Sequence, residues 1–347
     1  MAARAFITGV SGTALTDDER AFLRAQRPWG FILFKRNIET PDQVIRLVQE
    51  LRASVGRPDA PVLIDQEGGR VQRLQPPQWP SYPPGAVFSA LYDIDQTAGL
   101  EAARLSSLLI AADLADLGIT VDCLPLADVP VPGADSVIGD RAYGTTPAKV
   151  AAIARAVTNG LAQGGVLPVL KHIPGHGRAT ADSHFRLPTV DTSAAELAGT
   201  DFAAFKPLAD LPMAMTAHVV FSALDPAQPA TTSATIIGQV IRGTIGFQGL
   251  LMSDDVSMNA LQGSIAERSR ASLKAGCDVV LHCNGKLDEM VQVAAESPEL
   301  AGEALARADR ALASRRTPQP FDRGAARAEL DRLIDRAGSL IAGGFAS

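Results

Sequence analysis

The chain has 347 residues, of which 46% are hydrophobic, so it is long enough to bury a large core. Its formal net charge is −6 and no basic block stands out, which argues against nucleic acid as a main partner. Three cysteines are too few for a disulfide framework, and no apolar run approaches the roughly 18 residues of a membrane span. With no signal-peptide pattern, the sequence predicts a cytoplasmic protein with no membrane partner.

Short apolar runs alternate with amphipathic segments along the chain. Eight of these runs are predicted to be strands, because most are apolar at both alternating positions, as in a parallel sheet buried on both faces. The eight runs are residues 5–10, 30–34, 62–66, 119–124, 166–171, 212–218, 249–254 and 278–283.

Helix start signals lie between the predicted strands. Thr16 begins a capping box, and Thr40 and Thr146 each precede a proline at the first helical position. A longer interval after the third strand predicts a helix over about 97–117. One or two closing helices are predicted from about residue 301.

Eight strand-then-helix units predict an α/β fold, a single-domain (β/α)8 TIM barrel that spans residues 1–347. A doubly wound open sheet is the alternative. The proline-rich segment 75–85 is predicted to be a rigid loop within the barrel.

Polar residues cluster at the carboxyl ends of these otherwise apolar strands, which is where TIM barrels carry their active sites. A random distribution would also place some of them at strand starts, so the pattern favours an enzyme. These residues are Asp65, Asp122, Lys171, His172, His218, Asp254, Asp255, His282 and Asn284.

Several of these side chains also have a structural interpretation. Asp65 alternatively caps the loop that follows it by accepting hydrogen bonds from backbone amides. Asp122 alternatively fixes loop geometry. His218 and His282 are predicted to be buried histidines that support the site rather than direct catalysts.

Two pairs of adjacent residues also have both a structural and a functional interpretation. Asp254 and Asp255 are adjacent on a strand and are expected to face opposite ways, so one of them is predicted to be structural. Asp140 and Arg141 form either a loop ion pair or a clamp in which the arginine holds a polar ligand.

The stretch from Lys171 to His184, "KHIPGHGRATADSH", holds three of the five histidines. His172 and His176 are four apart, but the intervening proline and glycine prevent the helix that would align them, so no metal is predicted. A phosphate cradle is disfavoured because the glycine-rich phosphate motifs are absent, although Arg178 could still bind an anion.

Proton transfer is the third chemistry. Asp182 lies two residues before His184, and a carboxylate at that spacing can orient an imidazole and favour its charged form. His184 would then be a general acid/base, with a strand-end carboxylate such as Asp254 as the nucleophile. His176 is predicted to brace the loop.

Four segments resemble sequence blocks of the β-N-acetylglucosaminidases of glycoside hydrolase family 3. They are "DQEGGRVQRL", "IGDRAYG", "KHIPGHGRATADSH" and "SDDVSM", and they occur in the family's order over roughly residues 60–260. The long histidine-containing segment is the most specific. Ile173 and Val256 depart from the family's usual residues, and both exchanges remain apolar.

The resemblance implies roles for individual residues and no cofactor. Asp254 matches the nucleophile, His184 the acid/base and Asp182 its partner. The residues that match sugar-binding positions are Asp65, Arg73, Arg141, Lys171 and His172.

The resemblance also implies an activity. It indicates a retaining exo-β-N-acetylglucosaminidase, similar to the single-domain cytoplasmic enzymes of Gram-negative cell-wall recycling. Such enzymes remove terminal GlcNAc from GlcNAc-1,6-anhydroMurNAc and its muropeptides. The expected partner is therefore a small sugar or muropeptide, bound by a monomer.

Three other functions compete with this interpretation. A family 3 β-glucosidase generally lacks the Lys-His…Asp-Ser-His loop and takes a glutamate from a further domain. A catalytically silent sugar-binding barrel should have lost Asp254 or His184. A metal-dependent amidohydrolase would be sensitive to a chelator.

Overall fold

The computed structural model describes residues 3–179, 183 and 186–344. In this part of the chain, eight parallel strands close into a barrel in which each strand pairs with its sequence neighbours and the last pairs with the first. The prediction of a (β/α)8 barrel is confirmed, and the open-sheet alternative is wrong. The barrel strands are β1 (Arg4–Thr8), β2 (Pro28–Leu33), β3 (Val62–Ile64), β4 (Val121–Asp122), β5 (Leu167–Ile173), β6 (Met213–Thr216), β7 (Leu250–Asp255) and β8 (Val279–His282).

The strands form where apolar runs can be buried on both faces. All residues of β2 and β5 are buried, which explains why these runs show no polar alternation. One apolar cluster, which includes Ile7, Val169 and Met252, fills the barrel interior. A second and larger cluster, which includes Leu51 and Leu109, packs the strands against the helices.

Helices surround the barrel, and their starts follow the predicted signals. Thr16 forms the capping box with Glu19, and Thr40 caps a helix that begins at Pro41. The helices are α1 (Asp17–Gln26), α2 (Pro41–Val55), α3 (Gly85–Ile94), α4 (Gln96–Asp116), α5 (Pro147–Gln163), α6 (Ala194–Gly199), α7 (Asp201–Phe205), α8 (Ile265–Ala275), α9 (Leu287–Glu296), α10 (Gly302–Ala313) and α11 (Arg323–Gly344).

Three features differ from the expected pattern of units. Ile236–Ile245, which lies between β6 and β7, is wound as a π-helix rather than an α-helix and ends at Gly246, whose φ is 83°. Two small sheets were not predicted: an antiparallel pair of Gln66–Gly68 with Val71–Gln72, and a parallel pair of Thr189–Val190 with Val220–Phe221. These pairs order the loops that follow β3, β5 and β6.

The tail forms the two helices α10 and α11, where closing helices are predicted. Arg323, the first residue of α11, forms an ion pair with Asp116, the last residue of α4. Of the helices in the described ranges, none combines the length and apolar character that a bilayer crossing requires.

Candidate active site

A cavity of about 330 Å³ opens at the carboxyl ends of the barrel strands. Its volume is at the lower end of the range for small-molecule sites. It brings together Asp254 and all five predicted sugar-binding residues, which are separated by up to 189 positions in the sequence (Asp65 to Asp254). Its polar lining consists of Asp65, Glu67, Arg70, Arg73, Arg141, Lys171, His172, His176, Ser183, Asp254 and Asp255.

Lys171 lies at the centre of the charged wall of the cavity. Its Nζ is 2.9 Å from Asp65 Oδ1 and 2.7 Å from Glu67 Oε1, and its side chain is only 2% exposed. Burial alone would lower the pKa of Lys171, but the two carboxylates raise it above its ordinary value. The residue is therefore a fixed buried cation rather than a proton donor.

Two arginines complete this wall. Arg141 donates from Nε and Nη2 to the two carboxylate oxygens of Glu67, at 2.9 and 2.8 Å. Arg73 donates from Nη2 to Asp65 Oδ2 at 3.2 Å. Burial would raise the pKa of Glu67, but Arg141 and Lys171 lower it to about 2. Lys171 and Arg73 likewise hold the pKa of Asp65 below its ordinary value.

Neither structural alternative proposed for Asp65 and Arg141 is observed. Asp65 does not cap its loop; Asp122 does so, because its Oδ1 accepts from the Gln66 N–H at 3.0 Å. Arg141 does not pair with Asp140, whose Oδ1 instead lies 3.2 Å from Arg70. The interpretation of Asp122 as a residue that fixes loop geometry is confirmed.

Asp128, just beyond β4, organises the start of the histidine-containing loop. Its Oδ2 lies 2.7 Å from His172 Nδ1, and its Oδ1 accepts from the backbone N–H groups of His172 and His176. Burial would raise the pKa of Asp128, but His172 lowers it below the ordinary value. The carboxylate therefore keeps a proton on His172 Nδ1 and leaves Nε2 to meet a ligand.

His176 connects the two ends of the loop. Its Nε2 lies 3.1 Å from Ser183 Oγ, and the Ser183 carbonyl accepts from the Ala260 N–H at 3.2 Å. Burial, with a contribution from nearby His172, lowers the pKa of His176 to about 4, so the ring is neutral near pH 7. The predicted bracing role agrees with these contacts.

The two glycines of this loop are needed for different reasons, a positive φ at Gly175 and close packing at Gly177. Gly175 has φ 139°, and a Cβ on Gly177 would lie 2.2 Å from the Val129 carbonyl oxygen. Arg178, the candidate anion-binding residue, is held by Asp201, whose Oδ2 lies 2.6 Å from Arg178 Nε. The guanidinium is therefore used to anchor the loop, and it does not line the cavity.

Asp254 and Asp255 both border the cavity, so the prediction that they face opposite ways is wrong. The reason is a bulge: β7 places three residue steps, Met252 to Asp255, against two steps of β8. A similar register shift between β5 and β6 brings adjacent Lys171 and His172 to the same cavity.

Of the two aspartates, Asp255 carries the structural contacts. Its Oδ1 accepts from the N–H groups of Ser257 and Cys283, and its Oδ2 accepts from the Ser257 hydroxyl at 2.6 Å. The Asp254 carboxylate accepts from the Asp255 N–H at 2.8 Å. The expectation that one of the pair is structural agrees with this arrangement.

His218 and His282 are both fully buried and are absent from the cavity lining. His218 Nδ1 lies 2.7 Å from Thr231 Oγ1, and His282 Nε2 lies 3.2 Å from Glu289 Oε2. Their predicted supporting role fits these contacts. Asp182 and His184, the predicted acid/base pair, lie outside the described residues.

Glu67 and Asp128 are among the residues of the site that were missed from the sequence. Glu67 lies within the "DQEGGRVQRL" segment, so its position two residues after Asp65 could have indicated it. Asp128 follows β4 by six residues, and only the fold reveals its contact with His172. Among the described residues, no group of three histidine, cysteine or acidic side chains is arranged to hold a metal ion.

Comparisons with known proteins agree on one family. The profile of the glycosyl hydrolase family 3 N-terminal domain matches residues 7–313. A β-hexosaminidase of Alkalilimnicola ehrlichii is 39% identical over 280 residues, which cover 80% of this chain and 79% of the relative. A β-hexosaminidase of Aromatoleum aromaticum is 36% identical over 96% of this chain and 93% of its own length.

Solved structures show the same similarity. Native NagZ from Neisseria gonorrhoeae superposes with a TM-score of 0.86 at 32% identity, covering 96% of this chain and 98% of that one. A structure of the same relative in complex with N-trifluoroacetyl-D-glucosamine gives a TM-score of 0.83 over 99% and 98% of the two chains.

Proposed function

Because this chain belongs to glycosyl hydrolase family 3 and is a β-N-acetylhexosaminidase, we propose that it is a retaining exo-β-N-acetylglucosaminidase of cell-wall recycling. Its substrates would be GlcNAc-1,6-anhydroMurNAc and the corresponding muropeptides, from which it removes the terminal non-reducing β-1,4-linked GlcNAc. The observation that carries the proposal is that Asp254 lines the same small cavity as the ion-paired Asp65–Glu67–Lys171 cluster.

The cavity suits a single sugar ring better than the interior of a chain. Its volume is about 330 Å³, and the apolar side chains of Ile32, Met215 and Leu281 also line it. Asp65 and the unprotonated Nε2 of His172 offer acceptors to sugar hydroxyls, while Lys171, Arg73 and Arg141 offer donors. These groups are already paired and oriented before a sugar arrives, so little ordering is needed on binding.

The chemistry we propose is a double displacement. The Asp254 carboxylate attacks the anomeric carbon while His184 donates a proton to the leaving oxygen, and the glycosidic bond breaks. A glycosyl–Asp254 ester results. Neutral His184 then takes a proton from water, whose oxygen attacks the same carbon, releases Asp254 and restores the β configuration.

His184 and Asp182 enter this mechanism from the sequence, through their spacing and through the family resemblance. Most glycosidases use a second carboxylate as the acid/base. A histidine suits the role because its pKa is near neutrality, so it can give a proton in the first step and accept one in the second. Replacing His184 with alanine should slow natural substrates more than aryl glycosides, whose leaving groups need less protonation.

The biological setting is proposed on the same basis. The motifs resemble those of the cytoplasmic enzymes of cell-wall recycling, so we place the protein in the cytoplasm as a monomer. The Neisseria gonorrhoeae relative has been crystallised with a glucosamine derivative, which supports an amino-sugar ligand for this chain too.

A paired assay tests the proposal. Release of p-nitrophenol should be rapid from the β-GlcNAc glycoside, much slower from the β-glucoside, and unchanged by EDTA. Preference for the glucoside would favour a β-glucosidase, and no release would favour a silent barrel. Loss of activity in EDTA would favour a metal-dependent hydrolase. In an NMR time course, β-GlcNAc should appear first; initial α-GlcNAc would contradict the double displacement.

A further inference from the structure

The backbone of Asp254 and Asp255 is held at both ends by side chains from the last residue of β6 and from the loop that follows it. The Asp254 N–H donates to Thr216 Oγ1 at 3.3 Å, and the Asp255 carbonyl oxygen lies 3.0 Å from His218 Nε2. Thr216 is the last residue of β6, and His218 follows it by two positions. All backbone pairing between β6 and β7 has ended by this point, because their last paired residues are Met215 and Met252.

Thr231 links these two supports through a run of hydrogen bonds. Its Oγ1 lies 2.8 Å from Thr216 Oγ1 and 2.7 Å from His218 Nδ1. His218 Nε2 faces a carbonyl, which can only accept, so Nε2 carries a proton and Nδ1 of the neutral ring accepts from Thr231. The Ala217 carbonyl, 3.1 Å from Thr231 Oγ1, is the longer alternative for the same hydroxyl proton.

With the proton on His218 Nε2 and the Thr231 hydroxyl turned to Nδ1 rather than to the Ala217 carbonyl, the hydrogen bonds run in one direction. The Asp254 N–H then donates to Thr216, the Thr216 hydroxyl donates to Thr231, the Thr231 hydroxyl donates to His218, and His218 donates to the Asp255 carbonyl. Thr216, Thr231 and His218 are fully buried, so water does not substitute for a missing partner. We call Thr216, Thr231 and His218 the hydroxyl–imidazole relay.

We propose that the hydroxyl–imidazole relay positions Asp254 for attack on the anomeric carbon, so that its residues act on the rate of the chemical step rather than on sugar binding. This inference rests on the proposed role of Asp254 as the nucleophile. The relay replaces the backbone hydrogen bonds between β6 and β7 at the β7 bulge, where the β7 backbone departs from regular strand geometry. A displacement of about 1 Å at a reacting atom is enough to cost on the order of 100-fold in rate.

Matched threonine variants test the relay. Thr231→Val keeps the shape of the side chain and removes the hydroxyl, whereas Thr231→Ser keeps the hydroxyl and removes a methyl group. Thr231→Val should lower kcat for the aryl β-GlcNAc glycoside about 10- to 100-fold and change KM less than about threefold. Thr231→Ser should retain kcat within about threefold.

A second pair and a spectroscopic measurement cover the case in which Thr231→Val does not fold. Thr216→Val and Thr216→Ser should show the same split between kcat and KM. In ¹⁵N-labelled wild-type protein, the histidine signals that are lost in His218→Gln should report the tautomer with the proton on Nε2. A proton on Nδ1 alone would overturn the relay, because the carbonyl of Asp255 would then have no donor.

Two kinetic outcomes would overturn the inference. Valine variants with wild-type kcat would show that the relay does not affect the chemistry. Valine and serine variants that lose kcat equally, in step with their thermal stability, would show a purely structural role.

Mass spectrometry after trapping with a fluorinated GlcNAc analogue separates this inference from the proposed function. A label on Asp254 together with valine variants that keep the wild-type kcat would contradict the relay but not the assignment of Asp254 as the nucleophile. A label on another residue would sink the assignment of Asp254 as the nucleophile, and the relay with it.

Discussion

Lys171 Nζ lies 2.7 Å from Glu67 Oε1, and both side chains are at most 5% exposed. The lysine belongs to β5, and the glutamate belongs to the hairpin that follows β3. Lys171 also binds Asp65, so one side chain sets the position of both carboxylates in the wall that would face the sugar. The strength of this wall comes from charges that cannot be removed singly without leaving a partner buried and unpaired.

Glu67→Gln should therefore weaken both stability and sugar binding. It removes the charge that Arg141 and Lys171 share, and breaking a buried ion pair costs about 3–5 kcal/mol. We expect a lower urea midpoint and a KM for the β-GlcNAc glycoside raised about tenfold, with a smaller change in kcat. Asp140→Asn is the control, because its pair with Arg70 is about half exposed and should contribute less than about 1 kcal/mol. Equal effects of the two substitutions would contradict this account.

Because the pKa of Glu67 is lowered to about 2, the stability that this cluster contributes should depend on pH. A carboxyl whose pKa is lower in the folded state stabilises the protein fully above its unfolded value of about 4.3. That contribution is lost as the pH falls towards 2, and Asp65 acts in the same direction. Urea unfolding between pH 5 and 3 should therefore show falling stability in the wild type and a shallower fall in Glu67→Gln. Parallel curves would contradict the lowered pKa.

His176 should act in a separate pH window. Its pKa is about 4 in the folded protein, against about 6.5 in an unfolded chain, so between these values the unfolded state holds a proton that the folded state lacks. Stability should fall by about 3 kcal/mol as the pH drops from 6.5 to 4. His176→Gln should remove this slope and leave the steeper loss below pH 4.5 in place. A variant that retains the slope would show that another histidine causes it.

Asp122 and Asp128 are both fully buried, yet they should respond differently to the same substitution. Burial raises the pKa of Asp122 well above its ordinary value and so favours the neutral carboxyl, which an amide resembles; Asp122→Asn should therefore change stability by less than about 1 kcal/mol. Asp128 is ionised and accepts three hydrogen bonds, so Asp128→Asn should cost about 2–4 kcal/mol and raise KM by misorienting His172. Calorimetry and steady-state kinetics on the two variants measure the difference, and similar losses would contradict it.

The barrel was predictable because its strands are apolar runs and its helices carry local start signals. Thr16 and Thr40 cap helices at the expected positions, and the residues at strand ends meet in one cavity, as the fold rule requires. These features depend on local sequence and on one general property of the fold.

The remaining features depend on contacts between distant parts of the chain. Arg141 and Glu67 are 74 residues apart, and nothing in their spacing distinguishes Glu67 from Asp140 as the partner of the arginine. The bulge in β7 breaks the alternation on which the orientation of Asp254 and Asp255 was predicted, and a bulge in β5 does the same beside Lys171 and His172. Side-chain pairing and bulge position are set by tertiary packing, which a single sequence does not reveal.

Azide should distinguish the two aspartates of the "SDD" segment. Asp254→Ala should reduce turnover of an aryl β-GlcNAc glycoside by about 1,000-fold or more while the protein remains folded. Azide should then restore aryl release. It attacks the anomeric carbon from the face vacated by the carboxylate, the bond to the aryl oxygen breaks, and the product is the α-glycosyl azide.

Asp255→Ala is the matched control. It removes the hydrogen bonds to Ser257 and Cys283, so it should cost about 2–4 kcal/mol of stability. It leaves the nucleophile in place, so azide should not increase its turnover. Product NMR identifies the anomer, because the α-azide is expected only if the missing group was the nucleophile. Rescue of Asp255→Ala instead would reverse the roles assigned to the two residues. A β-glycosyl azide from Asp254→Ala would show that Asp254 is the acid/base rather than the nucleophile.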